Sequence, residues 1–160
     1  EVFASRFNLG TFTWSDPIQI TNSGYNKLYL SAIRDNINFY HICFCEYENN
    51  GYIVKYINGY LSENKFNLKT SSYLSEPSTC MYPELIKNNS KLLLSWVNYN
   101  KLFTCTSTND GLTWSKPNID EYSLEDNFIR STFYSNYKDD LEYNISHVFS
   151  TLNDVGILGL

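Results

Sequence analysis

Hydrophobic and polar positions alternate along most of the chain, in short runs broken by turns rich in Asn, Asp, Ser and Gly. A period of two puts successive side chains on opposite faces, so each run predicts a β-strand and each break a turn. The runs fall at 2–7, 14–20, 27–34, 39–47, 52–58, 66–71, 81–87, 91–98, 102–106, 114–119, 129–134, 143–149 and 155–160. No helix is needed to account for the pattern. The connections are short enough for antiparallel meanders, which group the strands into units at about 1–20, 27–72, 81–120 and 127–160 of one domain.

The sharpest local pattern is Ser107-Thr108-Asn109-Asp110-Gly111-Leu112-Thr113-Trp114. Asn109 and Asp110 have short side chains that accept hydrogen bonds from nearby backbone N–H groups, and Gly111 takes a positive φ without a Cβ clash. Trp114 adds a large apolar surface just past the bend, so the stretch predicts a hairpin turn locked at both ends. A second, degraded copy stands one hundred residues earlier. Thr13-Trp14-Ser15-Asp16-Pro17 mirrors Thr113-Trp114-Ser115-Lys116-Pro117, and Val2-Phe3 mirrors Leu102-Phe103. In that copy Phe7, Leu9 and Thr11 replace the Ser, Asn and Gly of the turn, so its turn chemistry is expected to be lost. A third trace is Ser62-Glu63-Asn64-Lys65-Phe66, with Phe66 in the Trp role.

The eight-residue stretch resembles the Asp-box, or BNR repeat, of sialidase-like β-propellers, Ser-x-Asp-x-Gly-x-Thr-Trp. Ser107, Gly111, Thr113 and Trp114 match, and Asn109 stands where the family has Asp. The resemblance implies an all-β fold of β-propeller blades, each a four-stranded antiparallel meander. It also implies an extracellular or cell-surface setting and gives Ser107, Asn109, Asp110, Gly111, Thr113 and Trp114 a structural role on the rim. Closed propellers use about 4–8 blades. Roughly three blades therefore read as a part propeller, either a fragment of a longer chain or a piece that self-associates through its terminal blades.

Any ligand chemistry would then gather at the mouth, lined by the starts of the inner strands: Tyr25, Lys27 and Tyr29, then Tyr82, Pro83 and Glu84, then Asn127, Ile129 and Arg130. The resemblance implies that a sialidase holds its sugar with three arginines and attacks through a Tyr beside a Glu, with an Asp as acid/base. This chain has Arg6, Arg34 and Arg130 alone, placed in different parts of their units, and no Phe/Tyr-Arg-Ile-Pro motif. No residue is therefore assigned a catalytic role. Tyr82, Glu84, Arg130, Tyr25 and Asn127 remain as candidate ligand contacts. For Glu84 a solvated or hydrogen-bonded strand-end carboxylate is the stronger reading, and Arg130 reads equally as an ion-pair partner of Glu125 or Asp126. His41 and His147, flanked by aromatics, read as core or interface imidazoles.

Composition narrows the function classes further. Fourteen tyrosines and ten phenylalanines favour strands. A net charge of −5 without a basic cluster argues against nucleic acid as a partner. No apolar run approaches the ~20 residues of a membrane-spanning helix. Cys43, Cys45, Cys80 and Cys105 lack the paired spacing of a zinc site and read as small buried hydrophobes, so neither a metal nor another cofactor is expected. A non-catalytic module that binds a glycan or a protein at its mouth is the favoured expectation. A piece of a glycoside hydrolase and a structural scaffold are the alternatives.

Overall fold

The computed structural model describes residues 1–35, 38–124, 127–132, 136 and 147–151. Within them the chain is all-β, with several antiparallel sheets and one short 3-10 turn at Glu121–Ser123. Residues 133–134 of the strand expected at 129–134, residues 143–146 of that expected at 143–149, the whole strand expected at 155–160, and the possible ion-pair partners Glu125 and Asp126 lie outside the described residues.

Two four-stranded meanders form the centre. Sheet I runs in the order β5 (Lys27–Arg34), β6 (Phe39–Glu48), β7 (Gly51–Leu61) and β8 (Phe66–Tyr73). Sheet II runs β9 (Met81–Asn88), β10 (Lys91–Asn98), β11 (Lys101–Ser107) and β12 (Asn118–Ile119). The β6–β7, β9–β10 and β10–β11 turns are two residues long, the tightest connection for antiparallel neighbours. Asn49 and Asn50 both have positive φ between β6 and β7, as do Tyr99 and Asn100 between β10 and β11, which matches the right-handed twist of the flanking strands.

A leading hairpin is interrupted into two pairs. β1 (Phe3–Ala4) pairs with β4 (Ile18–Gln19), and β2 (Phe7–Asn8) with β3 (Thr13–Trp14). A trailing pair joins β13 (Phe128–Thr132) to β14 (His147–Thr151). The expected strand at 114–119 shrinks to Asn118–Ile119, because the box turn occupies the residues before it.

These pieces stack in chain order, and three apolar layers hold the stack. Cys43, Val54 and Tyr56 of sheet I meet Leu85, Leu94, Trp96 and Cys105 of sheet II. On the other face of sheet I, Ile42, Phe44 and Ile57 receive Val2 and Ile20 of the leading hairpin. On the far face of sheet II, Val97 and Leu102 meet Phe128 and Phe149 of the trailing pair. Strand β6 is therefore covered on both faces. His41 through Glu46 are buried without a break, where a half-exposed strand would alternate. All four cysteines are buried free thiols in or beside the first layer, and burial pushes the Cys105 thiol up to about 12, which keeps it unreactive.

The hundred-residue echo extends into three dimensions. Phe3 pairs with Gln19 and Ala4 with Ile18, as Phe103 pairs with Ile119 and Thr104 with Asn118. The Ser15 N–H donates to the Arg6 carbonyl at 2.8 Å and its Oγ accepts from the Arg6 N–H at 2.9 Å; Ser115 makes the same two bonds with Thr106, at 2.8 and 3.0 Å. The first turn is not devoid of capping. Asn8 Oδ1 accepts from the Gly10 and Thr11 N–H groups, so an Asn one place from the expected position takes over the side-chain role.

Candidate functional site

The first strands of the two central sheets, β5 and β9, carry the same irregularity. In β5, Tyr29 and Leu30 lie between Leu28, paired with Cys45, and Ser31, paired with Cys43. In β9, Tyr82 and Pro83 lie between Met81, paired with Val97, and Glu84, paired with Ser95. Two residues thus oppose one in each strand, which defines a β-bulge, a device that re-aims side chains. Tyr29 and Tyr82 take the same place in their bulges, with φ of 57° and 54°. Left-handed backbone at a bulky aromatic is a genuine outlier. Its result is that the two rings meet at 4.5 Å between centroids.

Beside this pair lies a charged group. Glu84 is buried, and its Oε2 stands 3.5 Å from Arg130 Nη1 and 3.2 Å from His147 Nδ1. That oxygen is shielded from solvent, yet no described donor meets it with hydrogen-bond geometry. The Arg130 guanidinium lies 4.8 Å from the centre of the Tyr82 ring, a cation–π contact. β9 supplies Tyr82 and Glu84, β13 supplies Arg130, β14 supplies His147, and β5 supplies Tyr29.

Three of the five candidate contacts, Tyr82, Glu84 and Arg130, are thereby brought together. Tyr25 stays outside this cluster: it is exposed, and its carbonyl accepts from Lys27 Nζ. Asn127 is exposed just before β13. Glu84 is not a solvated strand-end carboxylate, because the trailing pair covers β9 and brings two nitrogen-bearing side chains onto it. The described ion-pair partner of Arg130 is Glu84. His147, expected as a core or interface imidazole, lies where β14 meets β9 and so joins the site. The other arginines are elsewhere. Arg6 Nη2 donates to the Leu61 and Ser62 carbonyls, and Arg34 is exposed at the end of β5.

A second polar cluster lies under the box turn. Ser107 Oγ accepts from the Gly111 N–H at 2.9 Å and donates to Asn109 Oδ1 at 3.0 Å. Asn109 in turn accepts from the Thr113 N–H and donates through Nδ2 to Thr113 Oγ1 at 2.9 Å. The turn is fastened to sheet I by Asn58, fully buried, whose Nδ2 donates to the Asp110 carbonyl and to Tyr56 Oη, both at 3.1 Å. Asn58 Oδ1 accepts from the Thr70 N–H and hydroxyl, so all four bonds of this amide are made. Trp114 packs edge-on to Tyr56 at 4.8 Å between centroids.

His41 joins the same cluster. Its Nδ1 lies 2.7 Å from Tyr56 Oη and its Nε2 3.1 Å from Lys87 Nζ. An ammonium has only donors, so Nε2 accepts and the ring proton sits on Nδ1, facing Tyr56. Burial first, and the Lys87 charge second, lower the His41 pKa to about 4. Lys87 also pairs with Asp110 at 2.8 Å and with Asp35 at 3.6 Å. Ser107, Asn109, Asn58, His41 and Lys87 all have protein partners, which suits a clamp between sheets, whereas the buried Trp114 Nε1 has none among the described residues. Among the described residues no group of His, Cys, Asp and Glu could hold a metal ion, and no helix is long and apolar enough to cross a membrane.

Comparison with protein-family models, curated proteins and solved structures finds no match.

Proposed function

We propose that the chain is a non-catalytic binding module built of Asp-box-type propeller blades, and that it binds a glycan where Tyr29, Tyr82, Glu84, Arg130 and His147 converge. The observation that carries this reading is the pair of matched bulges. Two successive sheets hold a tyrosine in a left-handed conformation at the same place, and such strain concentrates at binding and active sites. Aromatic faces suit the apolar side of a sugar ring, while a guanidinium and a carboxylate suit its hydroxyls. The blade architecture is supported by the two consecutive four-stranded meanders and by the recurrence of the box hairpin at a hundred-residue offset.

A binding role fits better than hydrolysis, because the one arginine in the cluster is already engaged with Glu84 and lies over Tyr82. Glycan-array screening followed by titration calorimetry tests the reading. Tyr82→Ala and Arg130→Ala should each weaken a glycan hit about tenfold or more, with the far-UV spectrum unchanged. Loss of neither, or turnover of a fluorogenic sialoside abolished by Glu84→Gln, would overturn it.

A further inference from the structure

A cleft of about 590 Å³ opens between the β6–β7 turn, the segment that follows β8 and the exit of the box hairpin. Its floor is apolar, made by the buried Ile53 and Leu74, and Tyr73, Pro77 and Pro117 stand around it. The walls are fixed by the fold itself. The Leu74 N–H donates to the Val54 carbonyl at 2.8 Å, and Tyr52 and Ser78 exchange both backbone bonds, at 2.7 and 3.0 Å. A Cβ on Gly51 would stand 2.6 Å from the Ser78 nitrogen, so the segment lies flush against the β6–β7 turn. A preformed cleft binds without first having to be ordered.

The charged residues that line it are two carboxylates, Glu48 and Glu76, and no cation. Glu46, two residues before Glu48 in β6, is compensated by Lys27 at 3.0 Å and Lys55 at 2.7 Å. Glu48 and Glu76 form no ion pair among the described residues. Glu48 Oε2 is shielded from solvent, yet no described donor meets it with hydrogen-bond geometry. The Tyr73 hydroxyl, which also lies by Glu48, gives its one proton to Glu46 Oε1 at 3.5 Å and accepts from Lys55 Nζ at 3.3 Å. A shielded acceptor without a donor calls for an explanation. Glu48 is half-exposed as a residue, so rotation of its side chain carries that oxygen into the cleft.

Two uncompensated carboxylates over an apolar floor suit a cation on a hydrocarbon stem, the chemistry of a lysine or arginine side chain. Five of the nine lining residues are exposed, so the cleft is an open surface and does not enclose a free small molecule. We infer that it docks an extended segment of a partner protein through a lysine or arginine side chain. The stem lies on Ile53, Leu74 and Tyr73, and the cationic head meets Glu48 and Glu76. The cleft shares no residue with the tyrosine-lined site, so this inference is independent of what that site binds.

Fluorescence anisotropy with two labelled peptides tests it, one of alternating lysine and glycine and one with glutamine in place of each lysine. The lysine peptide should bind and the glutamine peptide should not. Glu48 is half-exposed and Glu76 exposed, so Glu48→Gln and Glu76→Gln should both fold. Each should weaken binding about tenfold, through loss of a charge-assisted bond. The control is the double variant Glu63→Gln/Glu121→Gln, which removes two exposed carboxylates outside the cleft and should leave binding nearly unchanged. Four results would overturn the inference. The two peptides behave alike; either cleft variant binds like the wild type; the control loses as much as the cleft variants, which means diffuse attraction to a chain of net charge −5; or free butylamine displaces the peptide at equal concentration, which means a small-amine site.

Discussion

Gly111 and Tyr56 touch so closely that a methyl group on the Gly111 Cα would stand 2.0 Å from the Tyr56 hydroxyl oxygen. The glycine is needed twice over, for this approach and for its φ of +80°. Gly111→Ala should cost about 2–4 kcal/mol in a urea melt, from strain and overpacking together. Trimming the hydroxyl should not rescue it. The ring carbons remain 2.5 and 2.7 Å from the same point, so a Gly111→Ala/Tyr56→Phe protein that melts like the wild type would refute the contact.

The paired tryptophans give a controlled comparison. Trp114→Ala removes a ring packed on Tyr56 and should destabilise by about 2–4 kcal/mol. Trp14→Ala, at the equivalent place but 69% exposed, should change the stability of the monomer by less than about 0.5 kcal/mol. Thermal melts at dilution compare the two; equal losses would remove the distinction between a covered and a bare hairpin.

Stability should begin to fall on acidification above the usual carboxylate range. His41 titrates near 4 in the fold against about 6.5 when unfolded, so below pH 6.5 the unfolded chain binds a proton that the native chain refuses. The stabilisation is complete above pH 6.5 and is lost as pH falls toward 4, a change on the order of 2 kcal/mol. His41→Gln should flatten this window in denaturant midpoints measured at pH 4, 5, 6 and 7. An unchanged slope would show that the imidazole is already charged beside Lys87, Asp35 and Asp110.

Asn109→Asp should be nearly neutral, within about 0.5 kcal/mol. The Thr113 hydroxyl, which now accepts from Asn109 Nδ2, can turn to donate to a carboxylate instead. Asn109→Ala leaves the Thr113 and Ser107 groups without that partner and should cost about 1–2 kcal/mol. Chemical denaturation of both variants separates the bonding role from the charge.

The strands were legible because most predicted runs are bounded by turns rich in Asn, Asp, Ser or Gly, and β5 and β10 begin and end where the alternation does. Tyr82, Glu84 and Arg130 could be nominated because inner-strand starts converge in a meander of this kind. The bulges were not legible. A left-handed tyrosine has no sequence signature, and only the pairing of Leu28 with Cys45 and of Ser31 with Cys43 reveals the extra residue. For Glu84 the sequence left a solvated and a hydrogen-bonded carboxylate both open for a related reason: its burial comes from β13 and β14, and local pattern says nothing of what another strand places on top. The Asn58 clamp escaped notice too, since an Asn in a strand reads as polar surface until the turn it holds is known.

The two hairpins share the hydrogen bonds of the exit serine while differing at every side chain of the turn before Thr13 and Thr113. Ser15 and Ser115 each bond both the N–H and the carbonyl of the opposite strand and then the carbonyl of the next residue, Asp16 or Lys116. The exit serine alone therefore suffices to tie the outgoing segment to the strand before it, whatever residues fill the turn, so a turn with altered side chains keeps its exit direction as long as that serine remains.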